Sequence, residues 1–276
     1  MQQKAYYCYM KAQNRIKKPI RKIFDWFLRV TIVGLIAFIA LVVFIFNPEI
    51  LYAKQHSIAG WQVLSEQSLD LDAWEAEILK AQNLIKQSEI YDPSYSFRVC
   101  LNDQKYYPKV VNRLLGNGFA HGFGDLIVLH TEDDAEAGCA HLNGYDWELS
   151  RLLAHEAVHG LQYHRLGLFK SNPIANIPNW KWEGYAEFIA RADNSLGDFQ
   201  SCARTARQLL ASKNQFWVAF ENGSGMPSHL FQDYVKVRFC LEVEKQSWIA
   251  LLADTRSKDE IDDAIVDYVN AGIESH

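Results

Sequence analysis

Seventeen consecutive residues, Val30 to Phe46 (VTIVGLIAFIALVVFIF), carry neither a charge nor a strongly polar side chain. A helix over this run is about 26 Å long at ~1.5 Å per residue, close to the hydrocarbon thickness of a bilayer. The buried helix of a soluble domain normally keeps a polar stripe, and this run has none. Phe27 and Leu28 extend it, Arg29 can snorkel to the headgroups, and Trp26 suits the interface. The chain is therefore expected to fold in two parts, one helix in membrane lipid and the rest outside it. A cleaved signal peptide is the competing reading. Its basic region would be unusually long, and Asn47-Pro-Glu-Ile-Leu-Tyr-Ala53 lacks a clear A-x-A processing site. An uncleaved signal anchor over residues 30–46 is the reading taken.

Charge gives that anchor a direction. Eight of the 28 Lys/Arg and one of the 33 Asp/Glu fall in residues 1–29, which leaves 20 against 32 and a net −12 for residues 30–276. The positive-inside rule puts the basic arm, residues 1–29, in the cytoplasm and everything after residue 47 outside. In a Gram-negative bacterium that would be the periplasm. An acidic body argues against nucleic acid as a partner. Cys8 then lies on the reducing side, and Cys100, Cys139, Cys202 and Cys240 on a side that permits disulfides. No C-x-x-C spacing suggests a metal knuckle. Two readings stand: the pairs Cys100–Cys139 and Cys202–Cys240, each within one half of the body, or four buried thiols.

Residues 47–68 show only weak patterning and read as a stalk. Leu71–Ser88 reads as a helix capped by Asp70, with Trp74, Ile78 and Ile85 in an apolar stripe. Tyr95, Phe97, Val99 and Leu101 alternate with polar residues as a strand does. A short helix over Val110–Leu115, a glycine-rich loop or hairpin over Gly116–Gly124 and a buried strand over Leu126–His130 follow. Trp147–Leu166 reads as a helix with Asp146 as cap and Gly167 as stop. Beyond a loop holding Pro173 and Pro178, helices are expected over Trp182–Ala192, Phe199–Ser212, Leu230–Lys245, Ser247–Leu252 and Ser257–Val269. The fold class is α+β: a small sheet and the Trp147–Leu166 helix in the first half, an all-helical second half, and residues 69–276 as one unit.

That helix contains His155-Glu156-Ala157-Val158-His159, an H-E-x-x-H pattern. Residues four apart stack on one helix face, so His155 and His159 offer two imidazoles to one zinc ion. Glu156 adjoins the first of them, where its carboxylate can take a proton from water. A catalytic zinc needs three protein ligands and one open position. The metzincin pattern would put glycine and histidine at positions occupied here by Gln162 and Arg165, which excludes that class. His164 is one residue out of register.

Downstream stands Trp180-Lys-Trp-Glu-Gly-Tyr-Ala-Glu-Phe-Ile-Ala190. Together with the H-E-x-x-H pattern it resembles the W-x-x-E-G-x-A element of the gluzincin metallopeptidases, strongly over residues 145–192 and in layout over 95–270. The resemblance implies a zincin-like catalytic domain with one zinc ion per chain, Glu183 as third ligand, and Glu187 hydrogen-bonded to a ligand histidine. It also implies hydrolysis of peptide bonds in a peptide or protein substrate, with Glu156 as general base. The family's oxyanion donor is a Tyr or His from the helical half. Tyr234 and His229 are the candidates, because Phe231 occupies the position aligned with the family tyrosine. The buried strand Leu126–His130 is expected to offer an edge to an extended substrate. Three other readings stay open. An M48-like membrane peptidase uses similar ligands on the cytoplasmic side. An intramembrane protease is opposed by Glu148, Arg151 and Gln162 on the motif helix. A non-catalytic zinc-containing binding protein would have no need of Glu156.

Overall fold

The computed structural model describes residues 26–103, 106–211, 215–220 and 223–274. The chain divides into two compact units, residues 1–48 and 49–276. In the first, α1 spans Trp26–Phe46, 21 residues with a mean hydropathy of 2.8 and none of its apolar window buried. Its polar groups are satisfied locally: Thr31 Oγ1 donates to the Phe27 carbonyl (2.9 Å) and Asn47 Nδ2 to the Val43 carbonyl (2.8 Å). Length and composition make α1 the one described helix able to cross a membrane. The basic arm, with Cys8, lies outside the described residues up to position 25.

The second unit is mixed α and β. Five strands form its main sheet in the order β1-β2-β3-β5-β4: β1 Lys54–Ile58, β2 Trp61–Ser65, β3 Arg98–Cys100, β4 Ala120–Phe123 and β5 Leu126–Leu129. β2, β3 and β5 run parallel, and β1 and β4 lie antiparallel on the two edges. The expected stalk is thereby corrected. Residues 54–65 are a hairpin turned at Ala59-Gly60, both with positive φ, and Ile58, Trp61, Val63 and Leu64 are core. Two five-residue strands joined by a tight turn are too short to show a sustained period in the sequence.

The crossover from β2 to β3 is α2 (Leu71–Ile85), capped as expected by Asp70, whose side chain accepts the Ala73 N–H. α3 (Tyr106–Leu115) precedes β4. A second, three-stranded antiparallel sheet follows: β6 Glu132–Asp134, β7 Cys139–Leu142 and β8 Tyr145–Glu148. Its Asn143-Gly144 turn has positive φ at both residues. β8 displaces the expected helix start. Trp147 is a strand residue, Asp146 accepts from His141 Nδ1 (2.6 Å) instead of capping, and α4 spans Leu149–Leu166. The buried carboxylate of Glu77, on α2, accepts the Ser150 N–H (3.1 Å) and serves the N-terminus of α4 in its place.

α4 is buried at every residue from Leu149 to Gln162 and stops at Gly167, φ 78°. α5 (Asn179–Ala190) packs on it, and α7 (Ser228–Arg238) packs on α5. α6 (Phe199–Ala211), α8 (Trp248–Ala253) and α9 (Lys258–Glu274) complete the helical part. That half is not all helical: β9 (Trp217–Ala219) and β10 (Gly225–Pro227) form a hairpin. The helix expected over Leu230–Lys245 ends at Arg238 in a π-helical turn, Phe239–Val243, with Lys245 at φ 58°. The four described cysteines are free thiols, so neither expected disulfide forms. Cys100 sits on the central strand β3 and Cys139 on the second sheet, while Cys202 Sγ bonds the Leu196 carbonyl (3.3 Å).

Candidate metal centre

Helical spacing on α4 and α5 brings four of the expected residues together. His155 and His159 lie on one face of α4, with Nε2 atoms 3.2 Å apart. Glu183, from the second turn of α5, sets Oε2 at 3.3 Å from the first Nε2 and 3.2 Å from the second. Glu187, one turn further along α5, reaches His155 Nδ1 at 2.9 Å.

The outer partners fix what these donors present. Glu187 Oε2 accepts from His155 Nδ1–H, and its Oε1 accepts from Arg191 Nε (2.6 Å). His159 Nδ1–H donates to Gln162 Oε1 (2.9 Å), whose amide nitrogen donates in turn to the Trp182 carbonyl (3.2 Å). With Nδ1 protonated in both rings, each Nε2 carries a lone pair. Three acceptors therefore converge, and a shared cation is what such a set holds. A tetrahedral ion with arms of about 2.0–2.1 Å has edges of about 3.3 Å, which the donor separations of 3.2–3.3 Å match. The donor set therefore fits a small divalent ion.

The electrostatics favour positive charge here, a proton on the imidazoles standing in for a cation. Burial disfavours the charged form of His155, yet hydrogen bonds to Glu183 and Glu187 raise its pKa well above the ordinary value. His159 is raised in the same way, by Glu183 against burial. Burial works against ionised Glu187, but Arg191 and His155 hold its carboxyl down at about 2. Glu183 is likewise pulled far below the carboxylate range by the two histidines, against its burial. Each group is tuned to share positive charge.

Glu156 is buried beside the two histidines, and the main chain at this position is fixed by the edge strand. A Cβ on Gly122 of β4 would stand 2.2 Å from the Glu156 carbonyl oxygen, so only glycine lets strand and helix approach this closely. The edge strand beside α4 is β4. β5, the expected substrate edge, is covered on both sides by β3 and β4. β4 lies inside the glycine-rich Gly116–Gly124 segment expected as a loop or hairpin, and pairs antiparallel with β5.

The two expected oxyanion donors part company. Tyr234 is buried in the α6–α7 packing, where its hydroxyl accepts from Arg238 Nη1 (3.0 Å), which also bonds the Gly197 carbonyl. The structure does not bring it to the metal donors, because the face of α7 that meets α5 carries Asp233 and Val237. His229 stands at the start of α7 with part of its surface open to solvent, and partial desolvation of its ring lowers its pKa against the opposing charge of Glu183. His164 is turned away as its register implied, bonding Asp92 (3.0 Å) and stacking on Tyr95 (4.3 Å).

Three contributors escaped the sequence reading. Gln162, seen there only as a failed metzincin position, orients His159. Trp182 stacks on the His159 ring at 5.8 Å and 12°. His121 of β4, bonded through Nδ1 to His130 Nε2 (2.7 Å), has its pKa lowered by burial while Glu156 and Glu183 pull it upward. No residue spacing announces a ring on an edge strand. A second group of donors, Cys240, Glu244 and Asp254, has its two carboxylates already held by Arg256 (2.6 Å to each). Comparison with protein families, with curated proteins and with solved structures returns no match.

Proposed function

We propose that this chain is a membrane-anchored zinc metallopeptidase of gluzincin type, with a zincin-like body and one zinc ion held by His155, His159 and Glu183. The observation that carries the reading is the convergence of those three acceptor atoms within 3.3 Å, with Glu156 on the adjoining position of the same helix. A purely structural zinc site normally closes its fourth position with a protein ligand, and no fourth His, Cys, Asp or Glu joins the group among the described residues.

A zinc ion held by His155, His159 and Glu183 would supply Lewis acidity to a water and to the scissile carbonyl. Glu156 takes the proton of the attacking water and passes it to the leaving amine. Glu187 and Gln162 hold the two imidazoles in the tautomer that leaves Nε2 free. His229 remains the candidate donor for the oxyanion, because the Tyr234 hydroxyl is committed to Arg238. The edge strand β4 receives the peptide in extended form. α1 spans the bilayer with residues 1–29 in the cytoplasm and the folded body outside, so the substrates are extracytoplasmic peptides or proteins. Nucleic acid is no partner of so acidic a body.

The test is a paired measurement on the full chain in detergent. Wild type is expected to carry one zinc per chain and to hydrolyse casein. Glu183→Ala should lose most of the metal. Glu156→Gln should keep the metal and lose at least about a hundredfold in rate, the scale of a general base. Zinc retained in full by Glu183→Ala would sink the ligand assignment, and hydrolysis unchanged in Glu156→Gln would sink the mechanism.

A further inference from the structure

The loop that follows α4 turns apolar side chains outward. Phe169, in the short 3-10 turn Leu168–Lys170, is 81% exposed, and Leu168 and Ile174 are each more than half exposed. Single apolar residues on a surface are ordinary, but these three stand within one short loop and make a patch. The loop is braced from within. Ser171 Oγ donates to the Gly167 carbonyl (2.9 Å), and Asn172 Nδ2 donates to the Ile177 carbonyl (2.8 Å). The Ile177 N–H donates back to Asn172 Oδ1 (2.6 Å), and the Ala175 N–H to the Ser171 carbonyl (2.9 Å). Bonded in this way, the loop holds its apolar tips out in spite of the cost of wetting them.

Charge sets the same segment apart. Residues 157–182 hold three bases, Arg165, Lys170 and Lys181, and no acid, in a body that is otherwise acidic. Lys181 is buried, whereas Arg165 and Lys170 are exposed beside the apolar tips. Asp92, which reaches the end of α4 from outside the segment, is bonded to His164 (3.0 Å). Apolar tips flanked by long basic side chains suit lipid headgroups and the acyl boundary beneath them. Packed residues also join this loop to the first residue of the folded unit. His164, in the last turn of α4, stacks on Tyr95 at 4.3 Å, and Tyr95 meets Phe97 edge-on at 5.3 Å. Arg98, next in the chain, bonds Asp125 (2.6 Å) and Glu49. Ile50, beside Glu49, is 77% exposed. Only Asn47 and Pro48 separate Glu49 from the last residue of α1 in the chain.

We infer that Ile50, Leu168, Phe169 and Ile174 form a lipid-docking face, set into the headgroup region of a bilayer with Arg165 and Lys170 among anionic headgroups. The inference rests on the membrane anchor proposed above. A chain already tethered to the bilayer meets it a second time intramolecularly, at a high effective concentration. A patch too small to hold a soluble protein on a membrane is therefore sufficient here. The large side chains enter the apolar boundary, and the two bases stay at the level of the phosphates.

The test uses the full chain reconstituted in vesicles of phosphatidylcholine with about one-quarter phosphatidylglycerol. The photoreactive residue p-benzoylphenylalanine takes the place of Phe169, of Ile174 or, as a control, of Phe216. Phe216 is also exposed, but it packs on Tyr145 of β8, the strand that leads into the opposite end of α4, a helix of about 27 Å. After irradiation, mass spectrometry should find phospholipid adducts at 169 and 174 at least about tenfold above those at 216, the scale of burying one large side chain. Adding Phe169→Glu to the probe at 174 should lower its adduct by about tenfold. Equal adducts at 169 and 216, no lipid adduct at 169, or a cross-link to a second copy of the chain in its place overturns the docking face and leaves the anchor standing. So does an adduct at 174 that ignores Phe169→Glu. Flotation of the same vesicles after an alkaline wash tests the anchor, and a chain that washes off overturns the anchor and the docking face together.

Discussion

Two carboxylates on neighbouring helices show how position decides role. Glu187 is fully buried, yet Arg191 and His155 hold it ionised. Substituting Glu187→Gln keeps the shape, removes the charge, and leaves the Arg191 guanidinium buried without its ion pair. Loss of an outer partner of this kind typically costs about 10–100-fold in metal affinity. Competition with a chelator should show a weakening in that range, and an unchanged affinity would remove Glu187 from the centre. Asp233 is the opposite case. Its Oδ1 is buried with no hydrogen-bond partner among the described residues, and burial lifts its pKa from 3.8 to about 6, against the pull of Lys236. The folded chain therefore binds this proton more tightly than the unfolded chain does. Against a side chain that stays neutral, the carboxyl therefore costs little at pH 4, a cost that grows as pH rises from about 4 to 6 and is complete above it. Asp233→Asn cannot ionise, so it should be more stable than wild type at pH 7 by on the order of 2 kcal/mol and nearly equal to it at pH 4. Urea unfolding of chelator-treated protein at both pH values checks this, and an equal difference at both would refute it.

Helices and strands were not equally legible. α2, α4, α5, α6 and α9 announce themselves because ten or more residues repeat an apolar stripe, and Asp70 and Gly167 mark ends by chemistry that the structure keeps. No described strand exceeds five residues, and such segments cannot display a period. β1 and β2 therefore show no pattern in the sequence, nor do the second sheet and the β9–β10 hairpin, whereas β4 falls in the segment expected as a loop or hairpin. His155 and His159 are legible because they lie four apart on one helix, and Glu183 and Glu187 only through the resemblance of the Trp180–Ala190 segment; the structure brings the four together. Tyr234 failed because its role depended on which face α7 turns toward α5, and tertiary packing decides that. The same contact yields a prediction. A Cβ on Gly184 would lie 2.5 Å from the Asp233 carbonyl oxygen and 2.7 Å from Val237 Cγ2. A backbone oxygen cannot swing aside, so Gly184→Ala must part α5 from α7. Overpacking of this kind costs about 1–3 kcal/mol. Because Glu183 adjoins Gly184, zinc affinity should fall with stability. A thermal melt and a metal titration together test this, and a variant matching wild type in both would show that the helices separate freely.

On the scale of the whole molecule, the boundary that matters lies at Glu49 and not at residue 69. The folded unit begins there, and its first two strands complete the main sheet, with Gln62–Leu64 of β2 in register with Arg98–Cys100 of β3. Trp61 packs edge-on against Phe97 at 5.0 Å, and the Gln62 N–H donates to the Phe97 carbonyl at 2.9 Å. Phe97 in turn fills the space under Gly160 of α4, where an added Cβ would meet its ring at 2.5 Å. The hairpin therefore supports α4 through a single intervening side chain. Ile58, Trp61, Val63 and Leu64 are all nearly inaccessible to solvent. At about 2 kcal/mol for each buried side chain, they contribute on the order of 8 kcal/mol, comparable to the net stability of an ordinary domain. Deleting residues 1–68 would also turn β3, a central parallel strand, into an exposed apolar edge that invites aggregation. A chain of residues 49–276 should thus be recovered soluble and should bind zinc, whereas residues 69–276 should aggregate or lack a cooperative melt. Parallel expression of the two, with gel filtration and circular dichroism, decides the matter. A folded, zinc-binding 69–276 would mean that the hairpin is an appendage after all.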